Sequence, residues 1–167
     1  MKTKICLLLL ISATAAFAQG TNYPASTEGD WVAHDFHFNS GETLPELRMH
    51  YVTLGSLRRD AQGIVRNAVL ILHGTTGSTA QFLGPGFAGE LFGKGQPLDA
   101  THYFIIIPDD IGHGKSSKPS DGLHAKFPRY GYRDMVEAER RLVVDGLNVN
   151  HLRLVMGTSM GGMHTWL

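Results

Sequence analysis

The sequence predicts a layered α/β domain, and three observations carry that prediction. Ala68-Val-Leu-Ile-Leu72 and Tyr103-Phe-Ile-Ile-Ile107 are short, continuously apolar and rich in β-branched residues, as strands are when helices cover both faces of a parallel sheet. Between residues 133 and 147, Met135, Val136, Ala138, Leu142, Val143 and Leu147 recur at helical spacing while Arg133, Glu137, Arg140 and Arg141 take other faces. Residues 152–156 then return to a buried strand. Strand, helix and strand alternate, which implies stacked layers joined by right-handed crossovers.

Taken from the start, Lys2 and Lys4 precede an apolar run over residues 5–16, and Ala16-Phe17-Ala18 has the small-x-small form that signal peptidase reads. Residues 1–18 are expected to be a cleaved secretory signal and residues 19–167 the domain, exported to a periplasm or the medium. A stable membrane anchor is not expected, because a span needs about 20 apolar residues and Gln19 interrupts this one. The single cysteine, Cys6, lies inside the run, so the mature protein has neither a disulfide framework nor a cysteine metal site. With 15 basic and 15 acidic side chains, the chain lacks the charge excess of a nucleic-acid binder, and no nucleic-acid partner is expected.

Residues 19–30 read as a loop. Residues 31–38 favour a strand, and after Asn39-Ser40-Gly41 a second strand puts Leu47, Met49, Tyr51 and Thr53 on one face and Glu46, Arg48 and His50 on the other. This is an antiparallel hairpin with one wet side; His34 and His37, three apart and so facing opposite sides of the first strand, read as surface positions rather than a ligand pair. Asp134, with Glu137 three residues on, reads as the cap of the helix. Met163-His164-Thr165-Trp166-Leu167 is helix-compatible and holds no Gly, Asn or Pro to end it, so the chain reads as cut within a helix.

The strongest chemical signal is Gly157-Thr158-Ser159-Met160-Gly161, followed by Gly162, set directly between a buried strand and a helix start. In so tight a turn the apex residue is strained and only small residues two positions to either side avoid a clash, which makes Ser159 an exposed nucleophile. A glycine-rich turn with an incidental serine is the alternative. His73-Gly74-Thr75-Thr76-Gly77 follows the strand ending at Leu72, at the sheet edge where open α/β folds bind ligands. Acyl transfer needs two N–H groups aimed at the developing oxyanion. The candidates are Met160 N–H and Thr75 N–H, with Thr76 next in line, and His73 shapes the loop. Asp109, Asp110 and His113 sit in a glycine-rich loop that their side chains tie to its neighbours. They invite a metal reading, but so short a loop cannot wrap three ligands around an ion, and neither metal nor cofactor is expected.

At these residues the chain resembles the α/β-hydrolase superfamily. Phe127-Pro-Arg-Tyr-Gly-Tyr-Arg-Asp-Met-Val136, Gly157-Thr-Ser-Met-Gly-Gly-Met163 with Trp166, and Tyr51-Val-Thr-Leu-Gly-Ser-Leu57 are similar to the homoserine O-acetyltransferase branch, while Ile111-Gly-His-Gly-Lys-Ser116 is similar to general esterases and C–C hydrolases. The resemblance implies an α/β-hydrolase fold, a mostly parallel sheet with an amino-terminal antiparallel hairpin, truncated after the nucleophile elbow. It also implies that the triad acid and histidine follow the nucleophile in chain order, beyond Leu167. His164 is no substitute, being five residues along the elbow helix. The expected activity is hydrolysis of an ester or related small acyl substrate by an exported serine enzyme, inactive as this portion alone. A homoserine O-acetyltransferase-like acyltransferase and a non-catalytic binding or relic domain are the alternatives.

Overall fold

A computed structural model of the chain describes residues 21–167, so the expected signal over residues 1–18 lies outside the described residues. Two strands, β1 (Thr27–His37) and β2 (Thr43–Leu54), form the antiparallel hairpin, in register from Thr27 opposite Thr53 to His37 opposite Thr43. Its turn closes by Phe38 N–H donating to the Glu42 carbonyl, with Gly41 at a φ of 87° that favours glycine. The two apolar runs form β3 (Ala68–Leu72) and β4 (Phe104–Pro108), and β5 (Leu154–Gly157) follows the helical segment. The order is β1-β2-β4-β3-β5. β2 meets β4 antiparallel, whereas β3 lies parallel to both β4 and β5. The sheet is thus mixed, with its parallel part at the β5 side.

All five β3 side chains are buried, and alternation divides them between two apolar layers. Val69 and Ile71 join Ile105, Ile107, Phe82 and Phe92 on one face. Leu70 and Leu72 join Ile106, Val143 and Val149 on the other. A third cluster packs Phe36, Leu47 and Met49 of the hairpin against Met135, Leu142 and Met160. The α-helices α1 (Ala88–Leu91), α2 (Tyr132–Arg141) and α3 (Met160–His164) lie outside the sheet. Among the described residues no helix is long and apolar enough to cross a membrane.

Four local expectations need correction. The wet side of β2 is confined to its half near the turn: Glu46 and Arg48 are exposed there, as are His34 and His37 of β1, but His50, Val52 and Leu54 are buried where β4 joins β2. Asp134 is not the cap residue. Gly131 holds that position in extended backbone, and the Asp134 carboxylate reaches back from inside the first turn to accept Gly131 N–H at 2.9 Å. The helix does not run unbroken to Leu147. After Arg141 it widens into a π turn over Leu142–Gly146, closed by Leu147 N–H donating to the Leu142 carbonyl. Finally, β5 is not buried: it is the edge of the described sheet, and Leu154 and Val155 are 40% and 38% exposed.

Candidate active site

β5 delivers the chain into the tight turn at Thr158-Ser159, and α3 leaves from it. Ser159 has a φ of 51° and a ψ of −114°, a backbone conformation that costs an ordinary residue about 1–3 kcal/mol. The neighbouring glycines make the turn feasible. A Cβ on Gly157 would strike the Gly161 backbone, and one on Gly161 would strike the Leu72 and His73 carbonyls. Two hydrogen bonds anchor the turn to the end of β3: Thr158 N–H donates to the Leu72 carbonyl and Gly161 N–H to the His73 carbonyl, each at 3.0 Å. The apex side chain is left exposed.

Ser159 opens into a cleft of about 510 Å³, bounded by residues 74–78, Gln81 and Thr158. Here lies the predicted oxyanion loop. Gly74 comes so close that a Cβ on it would sit 3.3 Å from the Ser159 Cβ. Among the described residues, no backbone carbonyl accepts the N–H of Met160, Thr75 or Thr76, so all three remain available as donors. The structure therefore brings Ser159 and Thr75 to one cleft, and Met160, buried at the start of α3, follows Ser159 directly.

His73 is fully buried beneath this loop. Its Nε2 accepts Asp110 N–H at 3.0 Å, so that nitrogen carries no proton and its Nδ1–H donates to the Gly74 carbonyl at 2.8 Å. The ring is a neutral brace, and the Asp110 carboxylate 3.8 Å from Nε2 forms no ion pair with it. Asp109 accepts Thr79 N–H at 2.6 Å and Lys115 N–H at 2.7 Å, fastening the loop after β4 to the segment following the oxyanion loop. His113 lies with its Nε2 2.6 Å from the Thr75 carbonyl.

Behind the elbow sits a polar group that the sequence reading missed. Asp110, Glu139 and His164 are all buried and bring a ligand-type atom each within 4.8 Å of the others. His164 Nδ1–H donates to Glu139 Oε1 at 2.9 Å, which turns His164 away from any role as base for Ser159. Burial first, and Glu139 beside it second, push the Asp110 carboxyl far above the usual carboxylate range. Burial likewise raises Glu139 and lowers His164. Neither Asp110 oxygen has a hydrogen-bond donor among the described residues, and a proton kept on Asp110 would be shared with the Glu139 carboxylate beside it. The Nε2 of His164 is likewise buried with no hydrogen-bond partner among the described residues. The sequence did hold a signal for it: Glu139 lies four residues after Met135 and three before Leu142, on the buried face of α2.

A separate groove of about 340 Å³ runs past Val143, Val155 and His164 without reaching Ser159. It is mostly apolar.

The chain matches the α/β hydrolase fold family over residues 67–167. It is 33% identical over 168 residues to a homoserine O-acetyltransferase of Thermobifida fusca (strain YX), a match covering 92% of this chain and 42% of that protein. Its fold is similar to that of an acetylester hydrolase from Corynebacterium glutamicum, with a TM-score of 0.72 and 26% identity over 84% of this chain and 39% of the other. It is also similar to a homoserine O-acetyltransferase from Staphylococcus aureus, with a TM-score of 0.68 and 25% identity over 84% of this chain and 41% of the other. The chain spans about two fifths of the length of these relatives. Both acyl transfer and ester hydrolysis are thus represented among its neighbours. The chain belongs to the α/β-hydrolase fold family, on the side of it that resembles the homoserine O-acetyltransferases.

Proposed function

We propose that this chain carries the nucleophile and the oxyanion hole of an exported serine hydrolase acting on small esters or related acyl compounds. One observation carries the reading: Ser159 stands exposed at a φ of 51°, facing a loop whose Thr75 N–H is free, with Met160 N–H beside it. In this scheme Ser159 Oγ attacks the acyl carbon as its proton passes to a base. The carbonyl oxygen becomes an oxyanion held by Met160 and Thr75 N–H, and the alcohol leaves with that proton. Water then cleaves the acyl-enzyme and frees Ser159.

His73, His113 and His164 are each engaged elsewhere. We assign the base and its acidic partner to polypeptide following Leu167, as the resemblance implies, and export to the segment ending at Ala18. The 33% identity to a homoserine O-acetyltransferase favours a second reading, in which the acyl group passes to an acceptor hydroxyl instead of water. The signal-like segment argues against it, since an exported enzyme is separated from cytoplasmic acyl-CoA.

The test is fluorophosphonate labelling of the full-length protein with mapping of the modified residue. Labelling at Ser159, lost in Ser159→Ala together with turnover of p-nitrophenyl acetate, supports the reading. Equal labelling of wild type and variant refutes it. Product analysis with acetyl-CoA and homoserine separates transfer from hydrolysis.

A further inference from the structure

Two peptides of the oxyanion loop are held from behind by histidines. The Gly74 carbonyl accepts from His73 Nδ1–H at 2.8 Å and from Gly77 N–H at 2.8 Å. In a trans peptide the N–H points opposite to the C=O, so this bond also sets the direction of Thr75 N–H. The Thr75 carbonyl is in turn 2.6 Å from Nε2 of His113, which sets Thr76 N–H in the same way. Thr75 and Thr76 line the cleft and His113 does not. His113 acts on the loop's outer side.

The second nitrogen of that ring decides its protonation. Nδ1 of His113 lies 3.1 Å from the Ile111 carbonyl. Both ring nitrogens therefore face carbonyl oxygens, which can only accept. A neutral imidazole has one N–H and would set a lone pair against one of them; an imidazolium donates to both. The titratable groups nearby do not duplicate this charge. His73, from the end of β3, has its ring 5.1 Å away and is held neutral by Asp110 N–H. At the end of β4, the Asp109 carboxylate accepts two backbone N–H groups and Asp110 is turned to Glu139 and His164. On the same loop, Lys115 pairs with Glu28 of β1.

We propose that His113 is a positioning residue that works as an imidazolium strut: doubly protonated, it ties the Thr75–Thr76 peptide to the loop after β4 and so fixes Thr75 from its carboxyl side, as His73 fixes it from the other, and losing its second proton slackens the segment that presents Thr75 N–H. The strut stands on loop geometry, and its effect on rate rests on the acyl-transfer reading. A cation on the outer side of the loop also favours negative charge on the cleft side.

The experiment follows three quantities in the full-length protein from about pH 5 to 9, the interval in which histidine titrates. They are the His113 ring nitrogen resonances, the Thr75 and Thr76 amide shifts, and the rate of fluorophosphonate labelling at Ser159. At the acid end both ring nitrogens should carry protons. The two amides should then move with the ring titration, and labelling, taken at each pH as a ratio to that of His113→Gln so that the titration of the base on Ser159 cancels, should fall about tenfold over the same midpoint, a fraction of what losing an oxyanion donor costs. His113→Gln, which keeps one donor for the Thr75 carbonyl, should label at an intermediate rate without that pH limb. His113→Leu should be slow throughout, with kcat for an ester falling and KM nearly unchanged. A ring with one N–H at the acid end, amides that ignore the ring titration, or His113→Leu labelling at the wild-type rate would each overturn the strut. If Ser159 never labels while the amides still follow the ring, the strut stands and the acyl-transfer reading falls.

Discussion

Asp134 and Asn39 join the hairpin turn to the start of α2: Asp134 Oδ1 accepts both the backbone N–H and the side-chain amide of Asn39, each at 2.7 Å, while Oδ2 accepts Gly131 N–H at 2.9 Å. One nearly buried carboxylate thus orders a loop, a helix terminus and their mutual distance. Bonds to a charged acceptor are worth about 1.5–3 kcal/mol each at most, and they are not additive. Asp134→Ala is expected to destabilise the protein by about 2–4 kcal/mol in urea unfolding, and Asp134→Asn by less. A shift under about 0.5 kcal/mol for Asp134→Ala would contradict this account.

The buried Asp110 carboxyl makes a prediction with a definite sign. Its pKa is raised in the folded protein, so the folded state keeps a proton that the unfolded chain releases above the ordinary Asp range. Its stabilising effect is complete below about pH 4 and is lost as pH rises toward the folded value. Asp110→Asn keeps the donor to Glu139 and has no proton to lose. The variant's melting temperature, relative to wild type, should therefore climb between about pH 5 and 8. Parallel melting curves across that interval would show that Asp110 is ionised in the fold.

Strain at the nucleophile predicts opposite effects on stability and activity. Ser159→Gly relieves the positive φ, whereas Ser159→Ala keeps the Cβ that makes it costly. Both variants should lose labelling, but the glycine form should be the more stable by about 1 kcal/mol. Thermal melts of the two side by side decide it.

The exposed margin of the sheet predicts how residues 21–167 behave when expressed alone. β5 has β3 as its described partner, and Leu154 and Val155 are exposed alongside Trp166, which is 90% exposed. An unpaired apolar edge recruits other strands. Size-exclusion chromatography should show self-association that Val155→Lys reduces. A monomeric wild-type fragment would count against it.

Much of this was legible because the signals were local. Continuous β-branched runs mark β3 and β4, and small residues around Ser159 mark a turn that only they permit. What escaped depended on neighbours distant in sequence. β5 has the apolar composition of a central strand, but its burial depends on what lies beside it. The dry half of β2 follows from its pairing with β4, more than fifty residues on. Asp134 looked like a cap because caps are read from the helix alone, and its Asn39 partner belongs to the hairpin. Glu139 and His164 each sit on an apolar helical face, and their pairing exists only once α2 and α3 are side by side.

The wide turn at Leu142–Gly146 makes the helical segment unequally tolerant of losing a residue. A π turn holds one residue more than the regular spiral around it, so a one-residue deletion within residues 142–146 could be absorbed by tightening to ordinary helix, with both flanks keeping their orientation. The same deletion within residues 132–141 would rotate everything on one side of it by about 100°, swinging Met135 and Ala138 out of line with Leu142 and carrying Glu139 away from His164. Length variation among natural versions of this segment should accordingly collect at the wide turn, where the backbone already carries a residue to spare.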